Sequence, residues 1–88
     1  MKLYFNNENG EQYEILAKVR NDVMLLQTAS GNYIVARWIE GGSWGAGHYW
    51  MGDRSKAWKD FFQLAYEASG ASGENISYNE FIEMFEEV

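Results

Sequence analysis

His48 is the one side chain in this sequence whose ordinary pKa lies near neutrality. It stands in a run rich in glycine and tryptophan, Gly41-Gly42-Ser43-Trp44-Gly45-Ala46-Gly47-His48-Tyr49-Trp50. Acid–base catalysis would pair the imidazole with a carboxylate such as Asp53 or a hydroxyl such as Ser43, and no spacing in the chain fixes either pair. There is no cysteine, so thiol nucleophiles, thiolate metal sites and disulfides are excluded together. One histidine cannot build a zinc site without several carboxylates around it. The glycines lack the Lys-Ser/Thr pair and the following helix N-terminus that a phosphate cradle needs. No catalytic residue, metal ligand or cofactor is therefore assigned, and His48 is expected to be hydrogen-bonded within a sheet.

The elements that carry this run can be read from periodicity. Lys2 to Phe5 is a brief apolar strand, and Asn9-Gly10 supplies a hairpin turn. Tyr13, Ile15, Ala17 and Val19 then alternate with Glu14, Leu16, Lys18 and Arg20, the period of a half-buried strand. Asn21-Asp22 turns the chain onto Val23 to Thr28, Ser30-Gly31-Asn32 onto Tyr33 to Glu40, and Gly41-Gly42 onto Ser43 to Met51. After Gly52 the period becomes helical. Asp53 is an N-cap, and Ala57, Trp58, Phe61, Phe62, Leu64, Ala65 and Ala68 recur on one face. Ser69 to Gly73 breaks this helix. Ser77-Tyr78-Asn79-Glu80 matches a capping box that opens a second, with Phe81, Ile82, Phe85 and Val88 on its apolar side. The expected fold is α+β, a single domain over residues 1–88. An antiparallel meander of 4–5 strands, about residues 2–51, precedes two helices, about 53–69 and 77–88, packed on one face.

Faces can be argued for the last hairpin. A Gly41-Gly42 turn puts Trp38 opposite Gly45 and Ile34 opposite Tyr49 on one side, and Val35 opposite His48 and Tyr33 opposite Trp50 on the other. Both sides are apolar. A two-residue turn at Ser30-Gly31-Asn32 makes the Tyr33, Val35, Trp44, Trp50 side the core, which leaves Ile34, Trp38 and Tyr49 open beside Leu16 and Leu25. A three-residue turn inverts the assignment, because a one-residue slip exchanges the faces of a strand. The two-residue turn is the expectation.

The chain has 88 residues, 47% hydrophobic and 17% aromatic, with a net charge of −6. A domain of this size buries about 60 to 65% of its unfolded surface, and roughly 4 to 13 kcal/mol of stability is expected. The charge is local. Glu74, Glu80, Glu83, Glu86 and Glu87 have no base among them, so everything before Glu74 sums to −1. Such an end repels phosphate backbones, which disfavours direct nucleic-acid binding. The first residues lack the apolar run of a signal peptide, and no segment approaches the roughly 20 apolar residues that span a bilayer. The expected setting is cytoplasmic, without a membrane partner.

The stretch from Tyr33 to Trp50, followed by an amphipathic helix, resembles small proteins of Firmicutes genomes and their phages or mobile elements, a resemblance that implies a host class and no chemistry. The C-terminal part is similar in outline to a calcium-binding EF-hand. Aligning Ile76 with that family's central hydrophobic position and Glu80 with its bidentate glutamate puts Ser69 at the first ligand position. Ala71 and Gly73 then fall where ligands are required, and Glu74 where the sharp turn needs glycine, so the calcium ligands are missing.

These observations lead to a non-catalytic module that docks a partner protein through the aromatic hairpin, with Trp38, Tyr49, Trp44, His48 and Ile34 as contact residues. Exposed tryptophan and tyrosine are the side chains most often used as interface anchors. The alternative is an acidic inhibitor, for example of a host nuclease, acting through Glu80, Glu83, Glu86 and Glu87. A small enzyme using His48 is third.

Overall fold

The computed structural model describes residues 2–19, 22–68, 77 and 79. Five strands, β1 (Leu3–Asn6), β2 (Gln12–Val19), β3 (Val23–Gln27), β4 (Tyr33–Glu40) and β5 (Ser43–Trp50), form one antiparallel meander in sequence order. Helix α1 (Arg54–Ala68) follows. The expected meander is present. Of the second expected helix, all but Ser77 and Asn79 lies outside the described residues. Among those residues no helix is long and apolar enough to cross a membrane.

Two of the hairpins share one turn chemistry. Gly10 N donates to Asn7 O, and Gly31 N donates to Thr28 O, each at 3.0 Å, with φ of 85° and 87° at the two glycines. Asn7 and Thr28 also donate across their loops to Glu11 O and Asn32 O, at 2.8 and 2.9 Å. Each loop is therefore three residues long and closes on a left-handed glycine, the form in which a tight turn matches the strand twist. The turn after β3 is thus one residue longer than the expected one. It pairs Leu25 with Val35 and Leu26 with Ile34.

Strand alternation reverses at two places, and these reversals give the sheet two cores. In β2 the register shifts between Ile15 and Ala17, so Tyr13 and Ile15 point to one side while Ala17 and Val19 point to the other. The expectation that all four share a face fails at this bulge, where the inserted Leu16 bends the strand. In β4 the reversal sits at Trp38, whose φ is +55°. Tyr33 and Val35 belong to the cluster under α1, yet Ile39, which should share their side, packs with Ile34 and Ala36 on the other. Trp44 and Trp50, expected on one face, are divided in the same way.

The first cluster is covered by α1. Asp53 caps the helix, its Oδ1 accepting from Lys56 N at 3.0 Å, and Ala57, Phe61 and Ala65 recur at four-residue intervals to fill the seat over Val23, Leu25 and Val35. Full burial of Phe61, Leu25, Val23 and Val35 is worth about 1.5 to 3 kcal/mol each. The second cluster, Phe5, Tyr13, Ile15, Met24, Leu26, Ile34 and Ala36, is covered by the curl of the sheet. Its two ends meet where Glu8 N donates to Gly42 O at 3.0 Å. Trp44 closes the seam against Phe5 and Tyr13, with ring centroids 5.7 and 6.0 Å away.

Candidate functional site

The hairpin β4–β5 forms one edge of the sheet and, among the described residues, holds the most exposed aromatic side chains. Trp38 is 62% exposed and Tyr49 63%. Ile34, expected to be open beside them, is only 5% exposed, inside the curled core. Leu25, also expected on the open side, is fully buried under α1. The physical reason is the curl of the sheet, which covers the side that carries Ile34, together with the longer turn, which pairs Leu25 with Val35 under α1.

Trp38 and Tyr49 occupy different surroundings. The Trp38 ring lies on Gly45, where an added Cβ would stand 3.3 Å from its Cβ and Cε3. The Arg37 guanidinium stacks over the indole at 4.8 Å, and Arg37 follows the alternation of Tyr33 and Val35 toward the helix side. Trp38 N donates to Asp22 O at 3.0 Å, which ties the left-handed residue to the neighbouring segment. Tyr49 folds instead over Gly47 and accepts from Trp44 Nε1 at 3.4 Å, at the rim of the curled core. Trp44 is half-buried by its place in the seam.

His48 finds its partner on the helix. Its Nδ1 lies 2.7 Å from Asp60 Oδ2, and the same oxygen accepts from Trp50 Nε1 at 3.1 Å. Neither Asp53 nor Ser43 is involved, since Asp53 caps α1 and Ser43 Oγ donates to Glu40 O at 3.1 Å. His48 is thus bonded to α1 and not within the sheet. A carboxylate accepts, so the neutral imidazole carries its hydrogen on Nδ1 and keeps Nε2 as the free lone pair. This is how an oriented general base is held, and an open hollow lined by Trp50, Lys56, Lys59, Asp60 and Gln63 lies next to it. No hydroxyl nucleophile bonds to His48 among the described residues. Nor is any group of three His, Cys, Asp or Glu side chains placed there to hold a metal ion.

The sequence signal for this pair is a carboxylate, Asp60, immediately before the core residue Phe61, next to the side of the helix that meets the sheet. The acidic residues Glu80, Glu83, Glu86 and Glu87 lie outside the described residues, as do the aligned EF-hand positions Ser69, Ala71, Gly73, Glu74 and Ile76. No family model matches the chain, and neither does any curated protein or solved structure.

Proposed function

We propose that the protein is a non-catalytic interaction module that docks a partner protein through the β4–β5 hairpin, with Trp38 as the principal contact. One observation carries this reading: a tryptophan is held in the left-handed region and still left mostly in water. That conformation costs a non-glycine residue about 1 to 2 kcal/mol, and here no burial of the ring offsets it. Strain of this kind persists where the surrounding structure imposes it, and it clusters at ligand clamps. Tyr49, on β5, is a second contact.

The setting we propose is the cytoplasm of a bacterial host, on the strength of the absent cysteines and the resemblance of Tyr33–Trp50 to phage and mobile-element proteins. Docking rests on apolar contact, so it should respond little to salt. An inhibitor acting through the C-terminal glutamates would lose affinity steeply, because charge pairs are screened. The test is capture of a partner from host lysate at low and high salt with wild-type, Trp38→Ala and Tyr49→Ala baits. Capture that survives high salt and is lost with Trp38→Ala supports docking. Capture lost at high salt and indifferent to Trp38→Ala overturns it.

A further inference from the structure

The two edge strands of the sheet are unequal. β1 is four residues long, and a short edge strand offers little for another chain to pair with. β5 is eight residues long and carries no Pro, Lys, Arg, Asp or Glu, the residues that blunt an exposed edge. It stands last in the strand order, and among the described residues no strand pairs with its outer side. The curl brings β1 to β5 at the seam, where Phe5 meets Trp44, but the two strands do not run side by side. Helix α1 reaches β5 through the side chains of His48 and Trp50, at its face and not along its edge.

The backbone groups left over on this edge follow from the bonds at the turn before β4. Thr28 N donates to Asn32 O and Gly31 N to Thr28 O, so Thr28 and Asn32 are a bonded pair. Bonded pairs recur at every second residue, which makes Leu26 with Ile34 and Met24 with Ala36 bonded as well. Ile34 and Ala36 therefore turn their backbone groups to β3, while Val35 and Arg37 turn theirs to His48 and Ala46 of β5. Gly47 and Tyr49, the alternate residues of β5, keep an N–H and a C=O directed out of the sheet.

We infer that β5 pairs antiparallel with β5 of a second copy of this chain, Gly47 of each lying opposite Tyr49 of the other, so that two five-stranded sheets join across a two-fold axis. This goes beyond the docking reading, which uses side chains of the hairpin and not its outer backbone. A second copy is the occupant because the leftover donors and acceptors match an identical strand run in reverse, about four backbone bonds in all. Pairing sets no like charges against each other, since Ser43–Trp50 holds neither acid nor Lys or Arg, and residues 1–73 sum to only −1. Gly47 has no side chain to hold a facing strand away. With one long open edge per chain, the assembly closes at a dimer and does not propagate.

The test is sedimentation equilibrium of the full chain from about 5 μM to about 1 mM, with amide hydrogen exchange followed over the same range. The mass should climb from 10.2 kDa toward twice that value, with Kd on the order of 100 μM, the weak affinity of a small interface. The Gly47 and Tyr49 amides should exchange about five-fold more slowly at the highest concentration, and the amides of β1 should not change. Tyr49→Pro removes an outward donor that the fold does not use and should keep the protein monomeric. Tyr49→Lys, at an exposed side chain, is a second block that leaves the strand backbone intact. Trp38→Ala should leave the dimer in place, which separates this inference from the docking reading. A mass still at 10.2 kDa at the highest concentration overturns it. So does a doubled mass in which the Gly47 and Tyr49 amides exchange as freely as in dilute solution, or one that persists in both Tyr49 variants. Protection of those amides only on binding a lysate partner assigns the edge to a foreign strand, which sinks the second copy and leaves the docking reading standing.

Discussion

The Trp38 ring rests on Gly45, the residue directly across the hairpin, with 3.3 Å between its Cβ and the position a Gly45 Cβ would occupy. The bare backbone of one strand thereby accommodates a residue that the other holds at φ +55°. Strain and side chain can be separated by two substitutions at position 38. Trp38→Ala removes the ring and keeps the strain, whereas Trp38→Gly removes both. Trp38→Gly should be more stable than Trp38→Ala by about 1 kcal/mol in urea unfolding, although glycine is ordinarily the poorer strand residue. The reverse order would mean that the left-handed conformation is not imposed by the fold.

Gly42 reports on closure of the curled core. A Cβ at this position would lie 2.7 Å from Glu8 N, a backbone atom with little room to retreat. Gly42→Ala should cost about 1 to 3 kcal/mol by overpacking, and loosening the seam should expose Trp44. The checks are a lowered melting temperature and a red shift in tryptophan emission. A variant as stable as the wild type would show that the two ends of the sheet do not bear on one another.

Asp60 serves two donors and His48 is only one of them, so the two truncations should differ. Asp60→Ala leaves the partly buried Trp50 Nε1 without an acceptor and should cost about 1 to 3 kcal/mol. His48→Ala removes a half-exposed ring and should cost less than about 1 kcal/mol. Chemical denaturation of both variants orders them. Any enzymatic activity that disappeared with His48→Ala would revive the catalytic reading.

Tyr13 gives a pH dependence with a defined sign. Its hydroxyl donates to Glu11 Oε2 at 2.7 Å, and this bond, with burial and the Glu11 charge behind it, raises the phenol above its ordinary value of 10.0. A folded pKa above the unfolded one means that the contribution is complete below about pH 10 and is lost as pH rises through the raised value. Stability should therefore fall on the alkaline side, and Tyr13→Phe should flatten that limb. An alkaline limb unchanged in Tyr13→Phe would assign the loss to other groups.

Much of the fold was legible because local rules and tertiary packing agreed. Asn9-Gly10, Ser30-Gly31 and Gly41-Gly42 each mark a real hairpin, and Asp53 caps α1 as its position before the helical period implied. What could not be read were two backbone events. The bulge at Leu16 and the left-handed Trp38 are imposed by the curl, and neither residue type advertises such a conformation. Each reverses the side chains beyond it, so the faces of Ala17, Val19, Ile39 and Trp44 could not be assigned by alternation. The His48–Asp60 pair depends on where the helix settles along β5, which residue spacing across Gly52 does not determine.

The most direct test of the docking claim is the affinity of a lysate-captured partner for wild type and for Trp38→Gly, measured once the variant is shown to melt no lower than Trp38→Ala. At least a ten-fold weaker Kd for Trp38→Gly, about 1.4 kcal/mol, is predicted. Equal affinity in the two proteins would contradict the account, because the exposed indole would then contribute nothing to the contact it is strained to present.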